Sequence, residues 1–120
     1  MFTHNELEKL LKKVIDIYIN IYGGSICEIY LYGSYARGTY TDTSDVDIAA
    51  VVKGERSELQ DKLKHIWEEV SDISLEYDII ISPTVIPYDE LEKYKEILPY
   101  YKNILSEGVN FNTTALKKIM

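Results

Sequence analysis

The chain has 120 residues, the size of one domain, and is not expected to hold separate catalytic and recognition domains. Its 13 Lys and Arg against 20 Asp and Glu give a net charge of −7. It therefore lacks the basic excess that grips phosphate backbones, and direct nucleic-acid binding is not expected. Hydrophobic residues at 46% and charged residues at 28% suit a globular protein and exclude a disordered one.

In chain order, Thr3 and Glu6 have the spacing of a capping box, which predicts a helix start. Leu7, Leu10, Leu11, Val14, Ile15, Tyr18 and Ile21 then form one apolar stripe, ended by Gly23-Gly24. Residues 26–32 are β-branched and aromatic and read as a first strand, which runs directly into Gly33-Ser34. Residues 46–52 read as a second strand, closed by Gly54. From Ser57 to Val70, Leu59, Leu63, Ile66, Trp67 and Val70 recur at helical spacing, with Ser57 and Gln60 as a second capping box. Residues 75–81 read as a third strand stopped by Ser82-Pro83. Asp89 to about Glu107 reads as helix broken at Pro99, with Gly108 at a C-cap. The expectation is an α/β (α+β) domain over 1–108, ordered α-β-(short α)-β-α-β-α around a mixed sheet of three or more strands. Residues 109–120 are expected to form a tail that docks or frays.

The single Cys27 reads as a small core residue of a strand, and it fits a reducing compartment. No apolar run approaches the roughly 20 residues that span a membrane, and the N-terminus does not read as a signal peptide. A cytoplasmic protein is expected. His4 and His65 have no ligand spacing and read as surface residues. Tyr94, Leu98, Tyr100 and Tyr101, at helical spacing, read as core rather than contact surface. The unusual number is 11 Tyr against 2 Phe and 1 Trp. Three of them, Tyr32, Tyr35 and Tyr40, cluster around the Gly33 turn, where stacking on a nucleotide and modification of the tyrosines are both open.

The chemistry is concentrated between Leu31 and Ile48. Asp45 and Asp47 stand two apart at a strand start and project to one face. Two carboxylates so placed repel unless a cation lies between them, and all-oxygen ligands suit Mg²⁺ or Mn²⁺. A solvated strand end would also tolerate the pair. Gly33-Ser34 leaves a strand and precedes a potential helical turn, an arrangement whose backbone N–H groups favour phosphate. Alone it reads equally as a simple turn. Arg37 is placed for a charge-assisted phosphate contact or for an exposed salt bridge. Taken together, a phosphate cradle on one strand end and metal carboxylates on the next describe a nucleoside triphosphate bound through its metal.

Gly33-Ser34, ten intervening residues and Asp45-Val46-Asp47 resemble the signature of the DNA polymerase β-like nucleotidyltransferase superfamily. The fuller form, Gly33-Ser34-Tyr35-Ala36-Arg37-Gly38 with Ser44-Asp45-Val46-Asp47, is similar to its minimal nucleotidyltransferase branch, and the likeness runs to about Gly108. The resemblance implies transfer of AMP from ATP to a hydroxyl, with two Mg²⁺ ions held by Asp45, Asp47 and a third carboxylate on a later strand. Asp78 is the choice for that carboxylate and for helping to remove the acceptor proton, with Glu76 second. Gly33, Ser34 and Arg37 would position the phosphates. The resemblance further implies an antitoxin that adds AMP to a tyrosine of a HEPN-domain ribonuclease toxin. A transferase acting alone on a small hydroxyl compound and a non-catalytic binding antitoxin are the alternatives.

Overall fold

A computed structural model describes residues 3–111. The predicted Thr3–Glu6 box is formed: the Glu6 backbone N–H donates to Thr3 Oγ1 at 3.1 Å, and the Thr3 N–H donates back to the Glu6 carboxylate at 3.3 Å. Helix α1 runs His4–Tyr22 and ends at Gly23, whose φ of 59° suits glycine. A 3-10 turn, Gly23–Ser25, leads into β1, Ile26–Tyr32. A single helical turn, α2, covers Ser34–Arg37, and β2 covers Val46–Val52. Both main strands have the predicted bounds.

Helix α3, Arg56–Tyr77, departs from expectation in three ways. Its N-cap is Glu55, without a side-chain cap bond, so the Ser57–Gln60 box does not form. Trp67 leaves the apolar stripe and is 47% exposed. The helix also continues seven residues past Val70, because Val70, Ile73 and Tyr77 prolong the stripe that packs on the core. The expected strand at 75–81 is therefore mostly helix end, and Asp78 is its left-handed C-cap, φ 51°, a conformation that Asp tolerates.

Strand β3 is Ile81–Pro87, and Pro83 lies inside it rather than stopping it. The sheet order β3-β2-β1-β4 makes β3 an edge, where proline's missing N–H leaves no ladder bond unmade. Helices α4, Tyr88–Tyr94, and α5, Pro99–Glu107, are separated as predicted, with Pro99 at the first position of α5. After Gly108 the chain forms β4, Val109–Phe111, antiparallel to β1. The expected tail thus begins inside the sheet, while its remainder, residues 112–120, lies outside the described residues.

The sheet is mixed: β1 pairs antiparallel with β2 and β4, whereas β2 and β3 are parallel, joined through α3. Alternation along the strands divides two cores. Ile29, Leu31, Ile48, Ala50 and Val85 pack against α1 and α3. Tyr30, Ala49, Val51 and Ile86 pack against Leu91 of α4 and Tyr101 and Ile104 of α5. Fully buried Tyr18 joins α1 to two strands by donating to the carbonyls of Thr84, 2.8 Å, or Ile48, 3.2 Å. Among the described residues no helix is long and apolar enough to cross a membrane.

Candidate active site

The site lies where β1 ends and β2 begins. Asp45 immediately precedes β2 and Asp47 is its second residue, both half-buried. Asp47 pairs in register with Tyr32 of β1 on one side and Ser82 of β3 on the other. By strand alternation it shares the sheet face of Ala49 and Val51, which is covered by α5. The Asp47 carboxyl is pushed above its ordinary range by burial first and by Asp45 second, with Arg37 opposing.

Gly33 connects this strand pair to α2. Its φ of 74° and ψ of −155° are open essentially to glycine alone, and a Cβ there would collide with Asp47 Oδ2. The Ala36 and Arg37 backbone N–H groups both donate to the Gly33 carbonyl at 3.1 Å, which closes the turn that carries Ser34. The loop before Asp45 is fixed by Ser44: Thr41 N–H donates to Ser44 Oγ at 2.8 Å, and Ser44 N–H donates to the Thr41 carbonyl at 3.1 Å.

Helix α5 supplies the far wall, which sequence reasoning did not find. Tyr32, Gly33, Arg37, Tyr100, Asn103 and Glu107 surround a cavity of about 160 Å³. Arg37 Nη1 donates to Glu107 Oε2 at 3.3 Å, forming the half-exposed salt bridge that was one of its two expected roles. The Tyr32 and Tyr100 hydroxyls are 3.1 Å apart, and the Tyr32 phenol is pushed well up, chiefly by burial. Tyr100 was expected in the core and is 48% exposed; Leu98 is exposed too, while Tyr101 is buried and Tyr94 half-buried. The seven-residue offset from Tyr100 to Glu107 is two helical turns, the one sequence signal that they share a face.

The structure does not bring Asp78 to this pair as a strand carboxylate. It is exposed at the α3 C-cap, and it lines crevices shared with Asp42. Among the described residues no three His, Cys, Asp or Glu side chains form a metal-holding group. Glu76 is paired with Lys13 at 3.0 Å. The strand position beside Asp47 is Ser82, which brings an oxygen without a charge. Tyr35 and Tyr40 stack on each other, ring centres 4.3 Å apart, and Cys27 is half-buried on β1 with its thiol pushed up by burial. His4 and His65 are exposed, each beside a glutamate.

The chain matches the family described as "Nucleotidyltransferase domain" over residues 7–110. Two proteins of Methanocaldococcus jannaschii, each named "Putative protein adenylyltransferase", are similar. One is 31% identical over 84% of this chain and 93% of its own length; the other is 40% identical over 74% and 92%. Among solved structures, a "putative nucleotidyltransferase" from Sulfolobus solfataricus has a TM-score of 0.53 at 23% identity, covering 88% of this chain and 80% of that one. A toxin–antitoxin with AMP-PNP has a TM-score of 0.52 at 17% identity, covering 90% and 79%. These two share the fold.

Proposed function

The chain belongs to the nucleotidyltransferase family and is a nucleotidyltransferase; from that premise we propose that it moves AMP from ATP to a hydroxyl of a partner protein. The observation that carries this reading is the junction of Gly33 and Asp47. A side-chain-free turn and a carboxylate pair occupy one spot, so a triphosphate and its metal would meet there. The names of the Methanocaldococcus relatives support a protein acceptor.

The residues fit Mg²⁺. The donors are hard carboxylate oxygens, and Asp47 sits where burial and Asp45 disfavour a second negative charge unless a cation is present. Mg²⁺ commonly takes one or two carboxylates and completes its shell with water and substrate phosphates, so a third protein carboxylate is not required. Asp45 and Asp47 would hold it. When bound, the ion would neutralise the triphosphate and stabilise charge at the reacting phosphorus.

The chain's own residues position the reactants. Gly33 permits phosphate oxygens to approach the backbone, and the Ser34 hydroxyl stands at the first position of the adjoining turn. Arg37 exchanges Glu107 for a phosphate, a stronger charge-assisted contact. Phosphoryl-type transfer asks little covalent chemistry of a protein, so positioning and electrostatics carry most of the rate. The acceptor oxygen bonds to the α-phosphorus, pyrophosphate leaves, and the hydroxyl proton passes to solvent.

The acceptor we favour is a tyrosine of a helical HEPN-type ribonuclease toxin, silenced by the added anion. The solved toxin–antitoxin with AMP-PNP, which shares this fold, supports a toxin as the partner. A cytoplasmic site of action fits the proposed use of ATP. Incubating the purified chain with such a partner and MgATP is expected to add one AMP to the partner, read by intact mass. Absence of the adduct at saturating ATP would refute the protein-acceptor reading.

A further inference from the structure

A crevice separate from the α5 cavity opens at the same end of the sheet, between the end of α3 and the loop that follows α2. Its two adjoining parts, each about 510 Å³, share Asp42, Asp78 and Ile79. The first part is continued by Ser44, Leu75 and Ile80 and the second by Tyr40 and Glu6. Several of these side chains are large, apolar and solvent-facing: Leu75 is 82% exposed, Ile80 61% and Tyr40 45%. Such residues grouped around one concavity mark a contact surface more than a solvated one.

The crevice is also charged with one sign. Asp42, Asp78 and Glu6 line it, with no Lys, Arg or His among the lining residues. Lys13, over the Tyr77 ring at one wall, is already paired with Glu76. The crevice adjoins the transfer centre, since Ser44 precedes Asp45 and the Ile80 carbonyl accepts from Val46 N–H at 2.9 Å.

We propose that this crevice seats a basic, apolar segment of the acceptor protein next to the strand end that carries Asp45, so that the segment's tyrosine is held near the transfer centre. The inference rests on the transferase reading given above and names the chemistry of its acceptor. Leu75, Ile80 and Tyr40 supply apolar contact, while Asp42 and Asp78 select Lys and Arg and reject acidic chains and nucleic acid. In that complex the tyrosyl oxygen bonds to the α-phosphorus of ATP, the bond from that phosphorus to the bridging oxygen breaks, pyrophosphate departs and the phenol proton goes to solvent.

Two short synthetic peptides test this, each with one tyrosine between leucines, one flanked by Lys and Arg and the other by Asp and Glu. Binding is read by fluorescence anisotropy of labelled peptide, and transfer by label from α-³²P ATP. The basic peptide is expected to bind about tenfold or more tighter than the acidic one, weakening with salt. Asp42→Lys with Leu75→Lys, both at exposed positions, is expected to raise the basic peptide's KM about tenfold while kcat and the KM for ATP stay near wild type.

Equal affinity for the two peptides, or an unchanged KM in the variant, would overturn the proposal. So would tighter binding of a single-stranded RNA oligomer, or dimerisation of the wild-type chain that the double variant abolishes, which would assign the crevice to a second copy. Lys117→Glu with Lys118→Glu tests the chain's own C-terminal segment; a gain in peptide affinity there would also overturn it. Selective binding without AMP transfer would leave the crevice standing and refute the peptide-acceptor chemistry instead.

Discussion

Gly33 lies against the Asp47 carboxylate so closely that any Cβ at position 33 would collide with it. The same residue holds a φ of 74°, so it is required both for backbone conformation and for space. Gly33→Ala is expected to lose transfer activity and to destabilise by roughly 1–3 kcal/mol, read from the denaturant midpoint. Gly38 has a similar φ, 75°, but open space around it. Gly38→Ala is therefore expected to cost roughly 1–2 kcal/mol of backbone strain while activity survives. Equal losses of activity in the two variants would deny the Gly33–Asp47 contact its role.

Glu107 occupies the guanidinium of Arg37 from across the cavity. The pair is half-exposed, so its loss is expected to change stability by no more than about 1 kcal/mol. Glu107→Gln frees Arg37 for phosphate and should lower the KM for ATP up to about fivefold, the equivalent of that energy. Arg37→Ala should raise the same KM. An unchanged KM in both variants would remove Arg37 from phosphate binding.

Burial pushes the Tyr22 phenol up to about 12 and raises those of Tyr18, Tyr30 and Tyr32 as well. An unfolded tyrosine ionises near about 10. With the folded pKa above the unfolded one, the stabilisation is fully present below about pH 10 and is lost as pH rises through 10 to 12. An alkaline unfolding transition is expected in that window, with buried phenolate absorbance growing as helical circular dichroism disappears. Tyr22→Phe removes the bond to the Leu59 carbonyl, 2.7 Å. It should cost roughly 1 kcal/mol at pH 7, and the difference from wild type should shrink above pH 10. Titration of every tyrosine near 10 with the fold intact would contradict this assignment.

Asp47 is destabilised as an anion by burial and by Asp45. In EDTA at pH 8, Asp47→Asn is expected to raise Tm, because it keeps the shape and removes the disfavoured charge. Added Mg²⁺ should raise the wild-type Tm and leave the variant's unchanged, a readout independent of transfer. A variant less stable than wild type in EDTA would show that the carboxylate is held by contacts other than a cation.

What was legible in the sequence follows from how local each signal is. The Thr3–Glu6 box and the bounds of β1 and β2 rest on neighbours a few residues apart. Asp45 and Asp47 were readable because a strand returns i and i+2 to one face. The segment from Leu75 to Ile81 misled because Leu75, Tyr77 and Ile79 alternate like a strand; the better signal was Ile73 and Tyr77 prolonging the stripe through Val70. Pro83 misled because its tolerance depends on β3 being an edge, which only the strand order decides. Tyr100, Asn103, Glu107 and Ser82 reach the site by long-range packing of α5 and by strand register, and no short spacing announces either.

The central claim, that Asp45 and Asp47 at the Gly33 turn form the transfer centre, is tested most directly by single-turnover transfer from α-³²P ATP with Mg²⁺. Wild type, Asp45→Asn and Asp47→Asn are compared on the partner protein, each confirmed as folded by circular dichroism. Both variants should fall by roughly a hundredfold or more, the scale of losing one group that stabilises transferring charge. A folded Asp47→Asn protein transferring AMP at the wild-type rate would contradict the account.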